Sequence, residues 1–113
     1  MGEVRVTARL TNAFDESLFR HGVLTSDRVM SHAADAVVDT VPVRTVLPRE
    51  VADRLGLAPR GQRVVYLAGG GTEAVSVTEL LAVEIDGRDT LDEALVLGDE
   101  VLIGHPDGPG TRQ

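Results

Sequence analysis

An aspartate and a threonine at the end of an apolar run are the residues whose types best fit chemistry. Asp39 and Thr40 follow the apolar residues 36–38 and come shortly before Pro42. An apolar, β-branched run favours a buried strand, and a carboxylate at the end of such a strand is costly to desolvate without a partner. Asp39 is therefore the first candidate for a functional group. Taken alone, the same residues also fit an ordinary turn before a proline.

Composition excludes several other kinds of site. The chain has no cysteine, which rules out disulfides and thiol nucleophiles, and its three histidines (His21, His32 and His105) have no metal-ligand spacing. The formal net charge of −7 argues against nucleic acid and anionic membrane partners. We therefore expect no cofactor, no metal, no nucleic acid and no membrane association. The absence of a signal-like segment or a span-length apolar stretch predicts a cytoplasmic protein.

The hydrophobic pattern predicts a mostly β chain whose 113 residues form one domain. Alternating or short apolar runs predict strands at 3–12, 33–40, 45–47, 62–68, 73–85, 89–97 and 101–104. Turn signals recur roughly every ten residues, which is typical of a small closed β-structure. We expect a closed barrel of six or seven strands within a domain spanning residues 1–104. Residues 105–113, rich in Pro and Gly, are predicted to be a disordered tail.

One short helix is predicted at about residues 48–55. Pro48 suits its first position, Val51 and Leu55 have i, i+4 spacing, and Gly56 fits the left-handed stop. Residues 13–32 are less regular. They are predicted to form a long connection with a helical turn, for which Asn12 or Asp15 would be the cap.

Two further groups of residues need an interpretation. Residues 69–71 are three consecutive glycines between two strands, so they predict a flexible hairpin tip. Asp86, Asp89, Asp92 and Glu93 form an acidic cluster whose spacing is not that of a calcium loop, so we interpret it as solvated surface. Arg44 lies close after Asp39 and is assigned no role.

The order of these features resembles that of the retropepsin-like aspartic proteases, and within them the small prokaryotic members related to the retroviral protease. Four segments carry the resemblance, and together with the strand at 2–6 they span residues 2–104. They are Val37-Val38-Asp39-Thr40-Val41; Val46-Leu47-Pro48 with the helix at 51–57; Tyr66-Leu67-Ala68-Gly69-Gly70-Gly71-Thr72; and Leu95-Val96-Leu97 followed by Val101-Leu102-Ile103-Gly104.

The resemblance implies an acid-protease-like barrel and an aspartic endopeptidase that works as a homodimer on a peptide or protein substrate. Each subunit would supply one Asp39, and the two carboxylates would share a proton to activate water. Thr40 would brace the catalytic loop across the dimer. The hairpin residues Ala68, Gly69, Gly70 and Gly71 would close over an extended peptide and bind it.

Two features depart from the family pattern. Val41 stands where the family has a glycine, and a β-branched residue there crowds the site. After Gly104 the sequence continues with prolines and glycines in place of the family's final strand. These departures keep open a non-catalytic peptide-binding or dimerisation module of the same fold. A more distant alternative is a small dimeric regulator domain, for which the acidic charge makes DNA binding unfavourable.

Overall fold

The structure is a computed structural model that describes residues 4–39 and 44–104. Thr40, Val41 and the tail predicted at 105–113 lie outside the described residues. Seven strands, two α-helices and one 3-10 turn follow one another along the chain. Their bounds are β1 (Val4–Asn12), α1 (Ala13–Arg20), the 3-10 turn (Ser26–Arg28), β2 (Ser31–Asp39), β3 (Thr45–Leu47), α2 (Arg49–Arg54), β4 (Pro59–Tyr66), β5 (Thr72–Ile85), β6 (Arg88–Val96) and β7 (Val101–Gly104).

The strands form one sheet that closes on itself. Their order is β1-β2-β7-β3-β6-β5-β4, and an additional antiparallel pairing of β1 with β5 completes a six-stranded barrel. β4 pairs with β5 and lies outside this closed ring. The predicted fold class, a small closed β-barrel, is confirmed. No residue of β4 is fully buried, because this strand lies outside the barrel and has no core to face.

The core is aliphatic, as the scarcity of aromatic residues predicts. Its fully buried large apolar side chains come from three strands and the end of α2: Leu10, Leu47, Leu55 and Leu81. All three aromatic residues are on the surface, with exposed fractions of 61% for Phe14, 47% for Phe19 and 85% for Tyr66. Burial of aliphatic surface, at roughly 25 cal/mol per Å², therefore stabilises the fold without aromatic packing.

The helix predicted at about 48–55 is observed as α2, with Pro48 immediately before it and Gly56 after it at φ +64. The segment predicted as a helical turn contains a complete two-turn helix, α1. The Asn12 side chain caps α1 by accepting hydrogen bonds from the backbone N–H groups of Phe14 and Asp15. It also donates to the Leu55 carbonyl oxygen at 2.8 Å. One buried amide thus ties the start of α1 to the end of α2.

A β-bulge lies in the middle of β5, between the residues that pair with β4 and those that pair with β1. The register against β6 shifts between Val77 and Leu80. The Thr78 hydroxyl, fully buried, accepts the Ala94 backbone N–H at 3.1 Å and donates to the Glu79 carbonyl at 2.7 Å. The hydroxyl thereby satisfies a ladder donor that the bulge would otherwise leave unpaired.

Neither helix in the described part of the chain has the length and apolar character needed to span a bilayer.

Candidate active site

Asp39 is the last residue of β2, at the place in the sheet where that strand ends. The three apolar residues before it are partly or fully buried, and β2 pairs in parallel with β7. In this pairing Asp39 lies opposite Gly104, the last residue of β7. The sequence prediction that Asp39 ends an apolar strand is therefore confirmed for the backbone.

β2 ends at Asp39, and β3 begins at Thr45 on the far side of β7. β2 and β3 are consecutive along the sequence but are not neighbours, because β7 lies between them. β7 is parallel to β2, and it is antiparallel to β3 through the pairing of Val46 with Leu102. β7, from the end of the described chain, thus lies between β2 and β3 at the end of the sheet where the backbone of Asp39 is found.

A continuous row of apolar residues crosses the sheet on the face that includes the Asp39 position. Directly paired residues share a face of a sheet, and residues two apart on a strand share it too. Asp39 lies two residues after Val37, the first member of the row. From β2 to β5 the apolar row consists of Val37, Leu102, Val46, Leu95 and Val77.

The apolar row is separate from the main core inside the barrel. Val37, Val46 and Val77 are 4%, 8% and 5% exposed, yet none of them belongs to the main core cluster. Leu102 and Leu95 are half-buried. The row is therefore mostly covered by the chain itself, and only Leu102 and Leu95 leave part of their aliphatic side chains open to a ligand.

Two carboxylates on β6 hold the start of β3. Asp92 accepts the backbone N–H of Thr45 at 3.1 Å through Oδ2 and that of Glu93 at 2.8 Å through Oδ1. Glu93 pairs with Arg44 at 3.4 Å and also with Arg60. The interpretation of Asp92 and Glu93 as solvated surface is wrong, because both are half-buried and occupied by these partners. Their partners on β3 lie almost fifty residues earlier in the chain, so no local pattern indicates them.

The predicted substrate-binding residues Ala68, Gly69, Gly70 and Gly71 lie at the tip of the β4–β5 hairpin. The tip is closed by hydrogen bonds from Leu67 N–H to the Gly71 carbonyl at 2.8 Å and from Gly70 N–H to the Leu67 carbonyl at 2.9 Å. Gly70 has φ +96, a conformation that favours glycine. Residues 68–71 are all exposed. The hairpin connects to the apolar row through Val77 on β5.

A concavity lies away from these residues, between α1 and the outer face of β5 and β6. It has a volume of about 660 Å³, and exposed Phe14, Leu80 and Leu91 contribute to its walls. None of the residues singled out as a site in the sequence lines it. Among the described residues, no three His, Asp or Glu side chains are placed to hold a metal ion together.

No protein-family model and no curated protein sequence matches this chain. Solved structures do. The solution structure of the simian foamy virus (mac) protease covers 94% of this chain and 92% of its own, with a TM-score of 0.57 and 17% sequence identity. The fold is that of a retroviral protease.

A second solved structure is the foamy viral protease-reverse transcriptase dRH in complex with double-stranded DNA. It covers 72% of this chain, which spans only 14% of that much longer protein, with a TM-score of 0.53 and 21% identity. At these identities the likeness establishes the retropepsin-like fold, and the chemistry depends on this chain's own residues. The predicted relationship to retropepsins is thus confirmed at the level of fold.

Proposed function

We propose that this protein is an aspartic-type endopeptidase that acts as a homodimer, with Asp39 of each subunit forming the catalytic pair. The observation that carries the proposal is the place of Asp39. It ends an apolar strand beside an aliphatic row, in a chain whose fold is that of a retroviral protease. One chain supplies one such aspartate, so a two-fold dimer is needed to bring two carboxylates together.

The chemistry follows from two carboxyl groups held about 3 Å apart, which cannot both ionise and therefore share one proton. The ionised carboxylate takes a proton from the attacking water, while the protonated partner gives its proton to the peptide carbonyl oxygen. When the resulting diol collapses, the C–N bond breaks and the nitrogen receives a proton from one carboxyl. The other carboxylate takes a proton from the diol, so the pair again shares one proton.

The remaining site residues are assigned supporting roles. Leu102 and Leu95, the half-buried members of the apolar row, would contact apolar side chains of an extended peptide near the cleaved bond. Backbone groups of residues 68–71 would hydrogen-bond that peptide when the hairpin closes over it, because an extended peptide offers a row of unpaired amides. Thr40 would brace the loop between subunits. Cytoplasmic localisation stays a prediction from the sequence.

The direct test is peptide cleavage by the full chain on an unbiased peptide mixture, from about pH 4 to pH 7, where a shared-proton pair operates. Asp39→Asn should abolish all cleavage. The matched control is Asp35→Asn, because Asp35 is an exposed aspartate on the same strand, four residues earlier. It should leave cleavage unchanged. Cleavage that survives in Asp39→Asn would refute the catalytic pair.

The same experiment separates this proposal from the non-catalytic alternative. That alternative, a peptide-binding or dimerisation module, is favoured by Val41 in the sequence. If neither the parent chain nor Val41→Gly cleaves any peptide, the catalytic proposal fails, and the non-catalytic alternative is then tested by peptide binding and by the oligomeric state.

A further inference from the structure

A group of arginines lies at the β4 end of the face that carries the apolar row. A cavity of about 250 Å³ opens there between β4, β5 and β6, and its walls include Arg60, Arg63 and Glu93. Val77, the last residue of the apolar row, also lines it. The apolar row on the Asp39 side of the sheet therefore ends at the wall of a polar cavity.

Backbone register places these arginines on that face. Arg63 pairs with Val75 and Gly61 pairs with Val77, so Arg63 shares the face of the row. Arg60 lies at a register shift between Pro59 and Gly61. Such a bulge re-aims a side chain, and the Arg60 guanidinium reaches across to Glu93 on β6.

The charges of this group do not balance. Glu93 is shared by Arg44 and Arg60, and Arg63 has no hydrogen-bond or ionic partner within the part of the chain that the structure describes. The cavity walls thus carry two guanidinium groups, those of Arg60 and Arg63, and one carboxylate that Arg44 also shares, in a chain whose formal net charge is −7. The cavity is a local positive site on an acidic protein. The guanidinium groups attract an anion that enters it, whereas the net negative charge of the protein as a whole repels anions.

We infer that the substrate is a peptide carrying an acidic side chain, Asp or Glu, beside the apolar residues near the cleaved bond. This inference rests on the proposed protease function and specifies its substrate class. Arg63 binds the acidic carboxylate, with Arg60 alongside it, because the guanidinium fork matches a carboxylate and donates charge-assisted hydrogen bonds. The apolar part of the same peptide contacts Leu95 and Leu102, the half-buried members of the row.

The test uses synthetic decapeptides with a Val/Leu centre in which each flanking position in turn carries Glu, Gln or Lys. We measure kcat/KM for each peptide with the parent chain. At one position the Glu peptide should be cleaved about fivefold faster than the Gln peptide, the scale of one solvent-accessible ion pair, and the Lys peptide more slowly than both. Raising the salt concentration should shrink the Glu preference, since screening weakens such pairs.

Arg63→Gln should bring the Glu-to-Gln ratio close to one while cleavage of the Gln peptide is kept. The matched control is Arg54→Gln, because Arg54 is an exposed arginine that pairs with Glu50 on α2, away from the cavity. It should leave the ratio at its parent value. A loss of folding would lower cleavage of all three peptides together, whereas a lost carboxylate contact changes only their ratio.

The outcomes separate this inference from the proposed function. Cleavage with no preference for Glu at any position overturns the inference and leaves the protease standing. If nothing is cleaved, binding of the Glu and Gln peptides is measured by NMR shifts. Preferential Glu binding that moves the Arg63 and Val77 amides supports the acidic-peptide site in a non-catalytic protein. Equal or absent binding overturns both proposals.

Discussion

Asp39 lies directly opposite Gly104 where the parallel strands β2 and β7 end together. Gly104 is buried and has no side chain, so β7 presents only backbone opposite the end of β2. The strand that follows along the sequence, β3, is separated from β2 by β7. The surroundings of Asp39 are therefore set by three segments that meet only in the folded chain, and each can be altered separately.

Val41→Gly should raise activity. A β-branched residue two positions after the candidate catalytic aspartate resists unusual backbone angles and crowds the approach of two subunits. A small misplacement of a catalytic group costs on the order of a hundredfold in rate, so we expect kcat/KM to rise by about tenfold or more. Val43→Gly is the control, since it adds the same flexibility to the same segment. An equal rise in both variants would show that loosening the segment, and not the position of the glycine, is responsible.

The sequence predicts the barrel well because its signals are local. Alternation marks β1, β5 and β6, and the helix predicted at 48–55 agrees with α2 within one residue at each end. What the sequence misses depends on distant partners. Asp92 and Glu93 look like solvated acids until Thr45, Arg44 and Arg60 are brought beside them.

The parts of the candidate site also differ in whether a local sequence signal indicates them. Asp39 can be found from the sequence because an apolar run ending in a carboxylate is a local signal. The apolar row beside it cannot, because its members lie on five strands and meet only through the register of the sheet. For β4 the sequence predicts a strand at 62–68, whereas the structure has it at Pro59–Tyr66. Its place outside the closed ring depends on pairing with β5, which no local pattern indicates.

Activity should depend on protein concentration. A catalytic pair with one aspartate from each subunit exists only in the dimer, so well below the dissociation constant each tenfold dilution should lower specific activity about tenfold by mass action. Mixing offers a second measurement. A threefold excess of Asp39→Asn should reduce parent activity to about one quarter, since random pairing leaves that share of parent subunits with a parent partner. Asp35→Asn in the same excess should not inhibit. Specific activity that is constant on dilution would show that a single chain is sufficient.

Asp92→Ala should destabilise the chain. The Asp92 carboxylate accepts two backbone N–H groups, those of Thr45 and Glu93, and its removal leaves both without that acceptor. We expect the free energy of unfolding, measured in urea, to fall by about 1–3 kcal/mol. The Thr45 amide should also exchange its hydrogen faster, because that donor loses its partner. Asp89→Ala is the control on the same strand, where Asp89 is exposed and should change stability by less than about 0.5 kcal/mol. Equal losses in the two variants would mean that the Thr45 contact contributes nothing.

Gly56→Ala should destabilise the chain, whereas Gly61→Ala should not, although both substitutions add one methyl group. Gly56 ends α2 at φ +64, and the left-handed region costs a residue with a Cβ about 1–2 kcal/mol. An added Cβ there would lie 3.9 Å from Asn12 Nδ2 and 3.9 Å from Met30 Cγ, which is ordinary contact. The loss therefore measures backbone strain without a steric clash. Gly61 is in β4 at an ordinary φ with nothing within 4 Å of the added atom, so alanine there should be neutral or slightly stabilising. Urea unfolding of both variants checks the difference. A Gly56→Ala chain as stable as Gly61→Ala would mean that α2 can end without the left-handed residue.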